Sequence, residues 1–245
     1  MNFHHQSQSG NILFVILIAV VLIGLLTAAV VNSGGNENAN IDRESLMIKA
    51  SEFQRYGSEL ERAVRYVIQN GVSESDIRFS FIGASNAYGD LSVDTDTSDQ
   101  VFAREGGGAL YRDPPERVND GSPWEFYGGT ALPSVGSARA DLIAVLPNVS
   151  LQFCNAINEL NGQSSLPLDT GIGSPGGLSA GDCLYMGTGE GRFGDSEQFY
   201  ITPNTVNEST FAQDANTSAP RPALQACVQC ARDNAYHAYH VLMAR

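Results

Sequence analysis

The sequence predicts an α+β protein with an N-terminal transmembrane helix, followed by an amphipathic helix packed on a mainly antiparallel sheet. Three observations carry that expectation. A long apolar run free of charge opens the chain, a stripe of apolar residues recurs every three or four positions after it, and short apolar or alternating segments follow, separated by Gly, Pro, Asn and Asp. The chain has 245 residues, 42% of them hydrophobic and 17% charged, enough to build a real core. Its net charge of −13 repels the phosphates that a nucleic-acid partner would present, so no nucleic-acid partner is expected.

The first element follows from charge. No residue from Met1 to Gly35 is Asp, Glu, Lys or Arg, and Ile12 to Val31 are 20 consecutive residues with only Thr27 polar. At about 1.5 Å per residue this run matches a hydrocarbon core about 30 Å thick. A cleaved signal peptide has a shorter apolar region, about 7 to 15 residues, ending in small residues. Here Val30 and Val31 stand where those small residues belong. The predicted organisation is a leader at 1–10, a transmembrane helix at 11–32, a Gly/Asn-rich linker at 33–41 and an extracytoplasmic α+β domain at 42–245. Four cysteines, Cys154, Cys183, Cys227 and Cys230, all lie in the last part. They suit an oxidising compartment, which places the amino terminus in the cytoplasm and the main domain outside an inner membrane crossed once.

Leu46, Ala50, Phe53, Gly57, Leu60, Val64 and Val67 form one helical stripe. The predicted helix runs from about Asp42 to Asn70, capped by Asn40 or Asp42 and stopped by Asn70 and Gly71. Its other face, with Arg43, Lys49, Glu52, Arg55, Glu59, Glu61, Arg62 and Arg65, reads as a solvated surface. Strands are expected at Ile77 to Ile82, Ala109 to Arg112, Trp124 to Tyr127 and Leu142 to Leu146. A second helix should begin at Ser150 and stop at Gly162, with Leu151, Cys154, Ile157 and Leu160 as its face. Residues 163–194 and 204–222 read as loops, and Tyr236 to Ala244 as a last strand inserted into the sheet.

Ser9-Gly10-Asn11 followed by ILFVILIAVVLIGLL, then an amphipathic helix and an antiparallel sheet, resembles the plan of type IV pilins and type II secretion pseudopilins. The resemblance implies a peptidase cut between Gly10 and Asn11 and packing of the mature helix against other pilin-like subunits. In such a mature chain the fifth position, Glu in that family, is Val15. Gly10 to Val20, Ile41 to Glu44, VFAREGGGALYRDPP, DLIAVLPNVSLQFCNAIN and YHAYHVLMAR also resemble a group of uncharacterised bacterial membrane proteins, which implies architecture and no activity.

Few residues point to chemistry. Cys227-Val-Gln-Cys230 has the spacing of thiol oxidoreductases, but no βαβ pattern surrounds it. Structural disulfides fit better, with Cys154 bonded to Cys183 or to one of the CxxC sulfurs. Zinc lacks a second CxxC, since Cys154 and Cys183 are 29 apart. Asp94, Asp96, Ser98 and Glu105 have part of a calcium-loop spacing, with Asp99 where the glycine belongs. His237 and His240, three apart in a strand, lie on opposite faces and make no joint metal site. Gly106 to Gly108 lack the Lys and Ser/Thr of a phosphate loop and read as a bend. No nucleophile elbow occurs. The expected function is therefore a pilin-like or pseudopilin-like structural subunit with no enzymatic activity, no cofactor and no small-molecule substrate, with the membrane and other subunits as partners. A membrane-tethered binding or scaffold domain ranks second, and a CxxC oxidoreductase third.

Overall fold

The computed structural model describes residues 11–82, 84, 88, 96–163, 166–169, 183–184, 192–193, 199–200, 203–206, 210–211 and 223–245; within the first helix, side chains are described at 14–23 and from 42 onward. Helix α1 spans Asn11–Gln69, and a short 3-10 turn follows at Glu74–Asp76. Then come β1 (Glu125–Ala131), β2 (Asp141–Leu146), α2 (Leu151–Leu160), β3 (Leu168–Asp169), β4 (Asn204–Thr205), β5 (Gln225–Cys230) and β6 (Tyr236–Met243). The chain divides into two compact units, Met1–Ser45 and Leu46–Arg245.

The transmembrane expectation is corrected. Among the described residues, no helix is long and apolar enough to cross a membrane. The expected linker at 33–41 is helical as well, because α1 is continuous to Gln69. Asn40 and Asp42 therefore cap nothing. The helix ends where expected, with Gly71 at φ +95°.

In the second unit all five predicted side chains of the stripe from Ala50 to Val67 are buried, with Gly57 among them and Leu46 packed at the edge. They cover one face of a six-stranded sheet of order β3-β5-β6-β2-β1-β4. The central pairs β5·β6, β6·β2 and β2·β1 are antiparallel, while β3·β5 and β1·β4 are parallel. The sheet is therefore mixed rather than mainly antiparallel. Its two edges approach each other, since Asn204 of β4 donates to the Asp169 carboxylate of β3 at 3.4 and 3.5 Å. The β6 strand sits inside the sheet, between β5 and β2, and all of it from His237 to Leu242 is buried, both histidines included.

Each face of the sheet has its own core. Leu142, Ala144, Leu146, Ala238 and Leu242 face α1, α2 and an aromatic cluster; Ile143, Val145, Ala226, Val228, Tyr239 and Val241 face Tyr127, Leu132, Val135, Leu184, Val206 and Phe211. On the helical side Phe53 of α1 stacks on Trp124 at 5.2 Å and meets Phe153 of α2 edge-on at 6.2 Å. The predicted α2 is present. Ser150 Oγ accepts from Phe153 N at 3.3 Å, and Gly162 follows the helix at φ +68°.

Two expected strands do not form. Ile77, Phe79 and Phe81 are buried as alternation predicts, yet this segment makes one isolated bridge, Arg78 to Gln100. Beyond that bridge, Ser80 N donates to a side chain, Gln100 Oε1, at 3.0 Å. Aromatic stacking holds it in place of a ladder, with Phe79 on Phe126 at 4.1 Å and Phe81 on Tyr111 at 3.7 Å. Ala109 to Arg112 likewise lies outside any strand. The glycine triplet before it is a tight bend: a Cβ on Gly106 would sit 2.0 Å from the Gln100 carbonyl oxygen.

Candidate functional site

The expected processing point cannot be placed, because Gly10 lies outside the described residues and Asn11 is described only as the first residue of α1. The four cysteines form two disulfides, Cys154–Cys227 and Cys183–Cys230. Residues three apart on a strand point to opposite faces, so the CxxC spacing on β5 sends Cys227 to α2 on one side and Cys230 to the 183–184 segment on the other. The CxxC sulfurs are thus committed to different partners rather than to each other. The two bonds fasten opposite faces of one strand to the elements that cover them.

Of the calcium-loop candidates, Asp94 lies outside the described residues. Asp96 Oδ1 accepts from Ser98 N at 3.0 Å, and that bond holds its carboxyl below the usual range. Glu105 receives Thr97 Oγ1 at 3.4 Å. Among the described residues no group of three His, Cys, Asp or Glu is arranged to hold a metal ion. His237 and His240 do lie on opposite faces of β6, and both are buried. His237 Nδ1 accepts from Asn148 N at 3.3 Å, and burial pushes its pKa down to about 4. Burial also lowers that of His240, with the Glu61 carboxylate opposing.

Sequence reasoning missed three buried polar clusters. Glu125, at the start of β1, accepts from Arg192 Nε at 2.5 Å and Nη2 at 2.9 Å, and from Tyr88 Oη. Tyr88 Oη in turn accepts from Phe126 N at 2.9 Å. Asp141 takes Leu132 N and Arg245 N, each at 3.0 Å, while burial raises its pKa to about 6. Asp169 takes Leu184 N as well as Asn204. Asp141 and Asp169 terminate backbone donors of neighbouring segments, and Glu125 answers a guanidinium and a phenol, all of them structural uses of charge. None of these partners is near in sequence, so no spacing announces them.

Two hollows flank the second half of α1. One, of about 290 Å³, is lined by Glu52, Phe53, Arg55, Tyr56, Arg112 and Trp124. Two of its polar groups are engaged: Tyr56 Oη donates to Leu110 O and accepts from Arg112 N, and Arg112 pairs with Glu59 at 2.7 Å. The other, of about 310 Å³, holds Glu61 and His240, whose Nε2 has no hydrogen-bond partner among the described residues. Ser58, Glu61 and His240 all line this second hollow, but His240 Nδ1 faces Gln225 Oε1 and its Nε2 bonds to no described residue, so the ring makes no hydrogen bond with the Ser58 hydroxyl.

Comparison with known proteins adds no family: no family model, no curated protein and no solved structure matches the chain.

Proposed function

We propose that this protein is a structural subunit of a pilin-like assembly in an oxidising, extracytoplasmic compartment, and that the apolar first part of α1 is covered by the same segment of neighbouring copies. One observation carries the reading. Phe14, Val15, Ile16, Leu17, Ile18, Val20, Val21, Leu22 and Ile23 are each 42 to 66% exposed. A helix advances about 100° per residue, so these side chains surround the axis, and a helix apolar on every side needs cover on every side. An apolar patch of this extent on a monomer marks an interaction site. The absence of formal charge before Glu37 removes the repulsion that would keep parallel copies apart. The two disulfides support the oxidising compartment. Removal of residues 1–10 would leave Asn11, the first residue of α1, as the mature start.

Sedimentation of the full chain without detergent tests this. Assemblies of several copies are expected, and Leu17→Asp should release monomers with unchanged near-UV circular dichroism. A monomeric parent chain, an assembly indifferent to Leu17→Asp, or binding to lipid vesicles as single copies would overturn the reading. Intact mass of protein from its native envelope tests processing: a chain beginning at Met1 refutes the cut.

A further inference from the structure

We propose that the hollow between the second half of α1 and the β5·β6 pair binds a primary alkylammonium group, the chemistry shared by a lysine side chain and a free aliphatic amine. This inference concerns the second unit alone and does not depend on self-assembly.

The hollow is lined by Gln54, Ser58 and Glu61 of α1, Asn161 after α2, Ala223 to Gln225 at the start of β5, and His240 of β6. A chain of amides fixes the state of the histidine. Asn161 Nδ2 donates to Ile157 O at 2.7 Å, so its Oδ1 is left to accept from Gln225 Nε2 at 2.8 Å. Gln225 therefore turns its Oε1 to His240 Nδ1, 3.1 Å away. An oxygen acceptor there makes Nδ1 the protonated nitrogen of the neutral ring and leaves Nε2 as a lone pair. That lone pair is buried, has no partner among the described residues, and stands 3.9 Å from Glu61 Oε2. Two acceptors thus face each other with no donor between them.

Such a gap calls for a cationic donor. A primary ammonium carries three N–H donors and no acceptor, and can reach both atoms at ordinary hydrogen-bond length, about 2.7 to 3.2 Å. The Glu61 side chain is 29% exposed and forms the open side of the gap, its Oε1 held by Arg65 and its Oε2 facing the ring. Among the described residues Glu61 is the one formal charge lining the hollow; its Oε1 pairs with Arg65, and its Oε2, turned to the ring, still presents negative charge, so a carboxylate or phosphate would meet like charge there. A metal ion would find only Glu61 and His240 as strong ligands among the described residues. Ala223 and the half-exposed Leu224 supply an apolar flank on which an alkyl stem can lie while its charged end reaches the acceptors. The net charge of −13 raises the local concentration of cations.

Titration calorimetry on the full chain, with magic-angle-spinning spectra of its ¹⁵N-labelled histidines, tests the proposal. n-Butylammonium, Nα-acetyl-lysine amide and spermidine are the probes; tetramethylammonium, which has no N–H, and n-butanol, which has no charge, are the controls. Saturable binding of n-butylammonium with a shift of the His240 Nε2 resonance is expected, with neither control producing it. Glu61→Gln should weaken binding about tenfold or more while leaving the fold intact by circular dichroism. Tighter binding of the lysine amide than of spermidine assigns the site to a peptide lysine, and the reverse to a free polyamine. Absence of a saturable shift, an equal response to tetramethylammonium, or indifference to Glu61→Gln would overturn the proposal.

Discussion

The two stretches of α1 with described side chains carry apolar residues in opposite ways. Between Phe14 and Ile23 they are continuous and exposed, whereas the stripe from Ala50 to Val67 recurs every three or four residues and is buried, with Arg, Lys and Glu on the other face. Periodicity, not hydrophobicity, separates a helix that finds its cover within its own unit from one that must find it elsewhere. The periodic stretch needs only one surface, and the sheet supplies it. The continuous stretch has no polar face to turn to water.

The sharpest way to break that contrast is to exchange the effects of substitution in the two stretches. Leu17→Asp should abolish sedimentation as assemblies and leave the thermal melting of the second unit unchanged. Phe53→Ala, which removes a ring stacked on Trp124 and edge-on to Phe153, should cost about 3 to 5 kcal/mol in stability and leave residual assembly intact wherever the domain still folds. Denaturant titration and sedimentation of both variants read the two outcomes separately. A Leu17→Asp chain that melts earlier would mean the first stretch also contributes to the core.

The disulfides extend the comparison to the faces of the sheet. Cys154–Cys227 closes a separation of 73 residues on the helical face and Cys183–Cys230 one of 47 on the other. Chain entropy alone gives each bond about 4 kcal/mol, nearly equal because closure entropy grows only logarithmically with loop length. Paired Cys→Ser replacements should therefore cost similar amounts by equilibrium denaturation. A much smaller loss for Cys183–Cys230 would mean that the loop-covered face is weakly held in the unfolded and folded chain alike.

Much of the second unit was legible because its signals are local. Ser150 and Gly162 bracket α2, the stripe from Ala50 to Val67 marks the buried side of α1, and Leu142 to Leu146 and Tyr236 to Met243 are apolar enough for central strands. What failed depended on partners distant in sequence. Ile77 to Phe81 alternates like a strand, but its partner is the turn at Gln100 and a stack of aromatic rings, which no periodicity encodes. The break at 33–41 reads as a linker from its Gly and Asn content, yet propensity is a weak prior and α1 runs through it. The hollow at His240 was hidden because Glu61, Asn161, Gln225 and His240 come from four parts of the chain. The sequence spacing of His237 and His240 correctly separated them, but said nothing of what each would face.

A pH titration probes the sheet that the periodic stretch covers. Both histidines have folded-state pKa values below the usual 6.5, so the fold favours their neutral forms. Their contribution is present above pH 6.5 and is lost as pH falls through the folded values, for His237 about 4, amounting to on the order of 3 kcal/mol for that residue. Asp141 acts in the other direction, since its value is raised to about 6 and its contribution is present below the ordinary carboxylate value and lost as pH rises through 6. The His237 loss accrues between pH 6.5 and 4 and the Asp141 gain, beginning near 6, offsets part of it, so stability by denaturant titration should fall modestly across pH 6.5 to 4. His237→Gln should flatten the acid loss, and an unchanged profile would assign the loss to other groups.

The smallest expected effect tests how closely the periodic stretch is fitted to its cover. A Cβ on Gly57 would lie 2.4 Å from Cγ of His240 and 2.5 Å from its Nδ1, so the helix and β6 meet there without room for a methyl group. In an uncovered helix, Gly→Ala gains about 0.5 to 1 kcal/mol by restricting the unfolded chain. At Gly57 the buried imidazole would have to shift, giving up its contact with Gln225, and overpacking of this kind costs about 1 to 3 kcal/mol. The second term is larger, so Gly57→Ala should destabilise by a net amount of roughly 1 to 2 kcal/mol. The double variant with His240→Ala decides whether the ring is the cause. Once the imidazole is gone the methyl group should be tolerated, and the two losses should sum to clearly more than the double variant shows. Additive losses would mean that the backbone of β6, rather than the ring, sets the distance between helix and sheet.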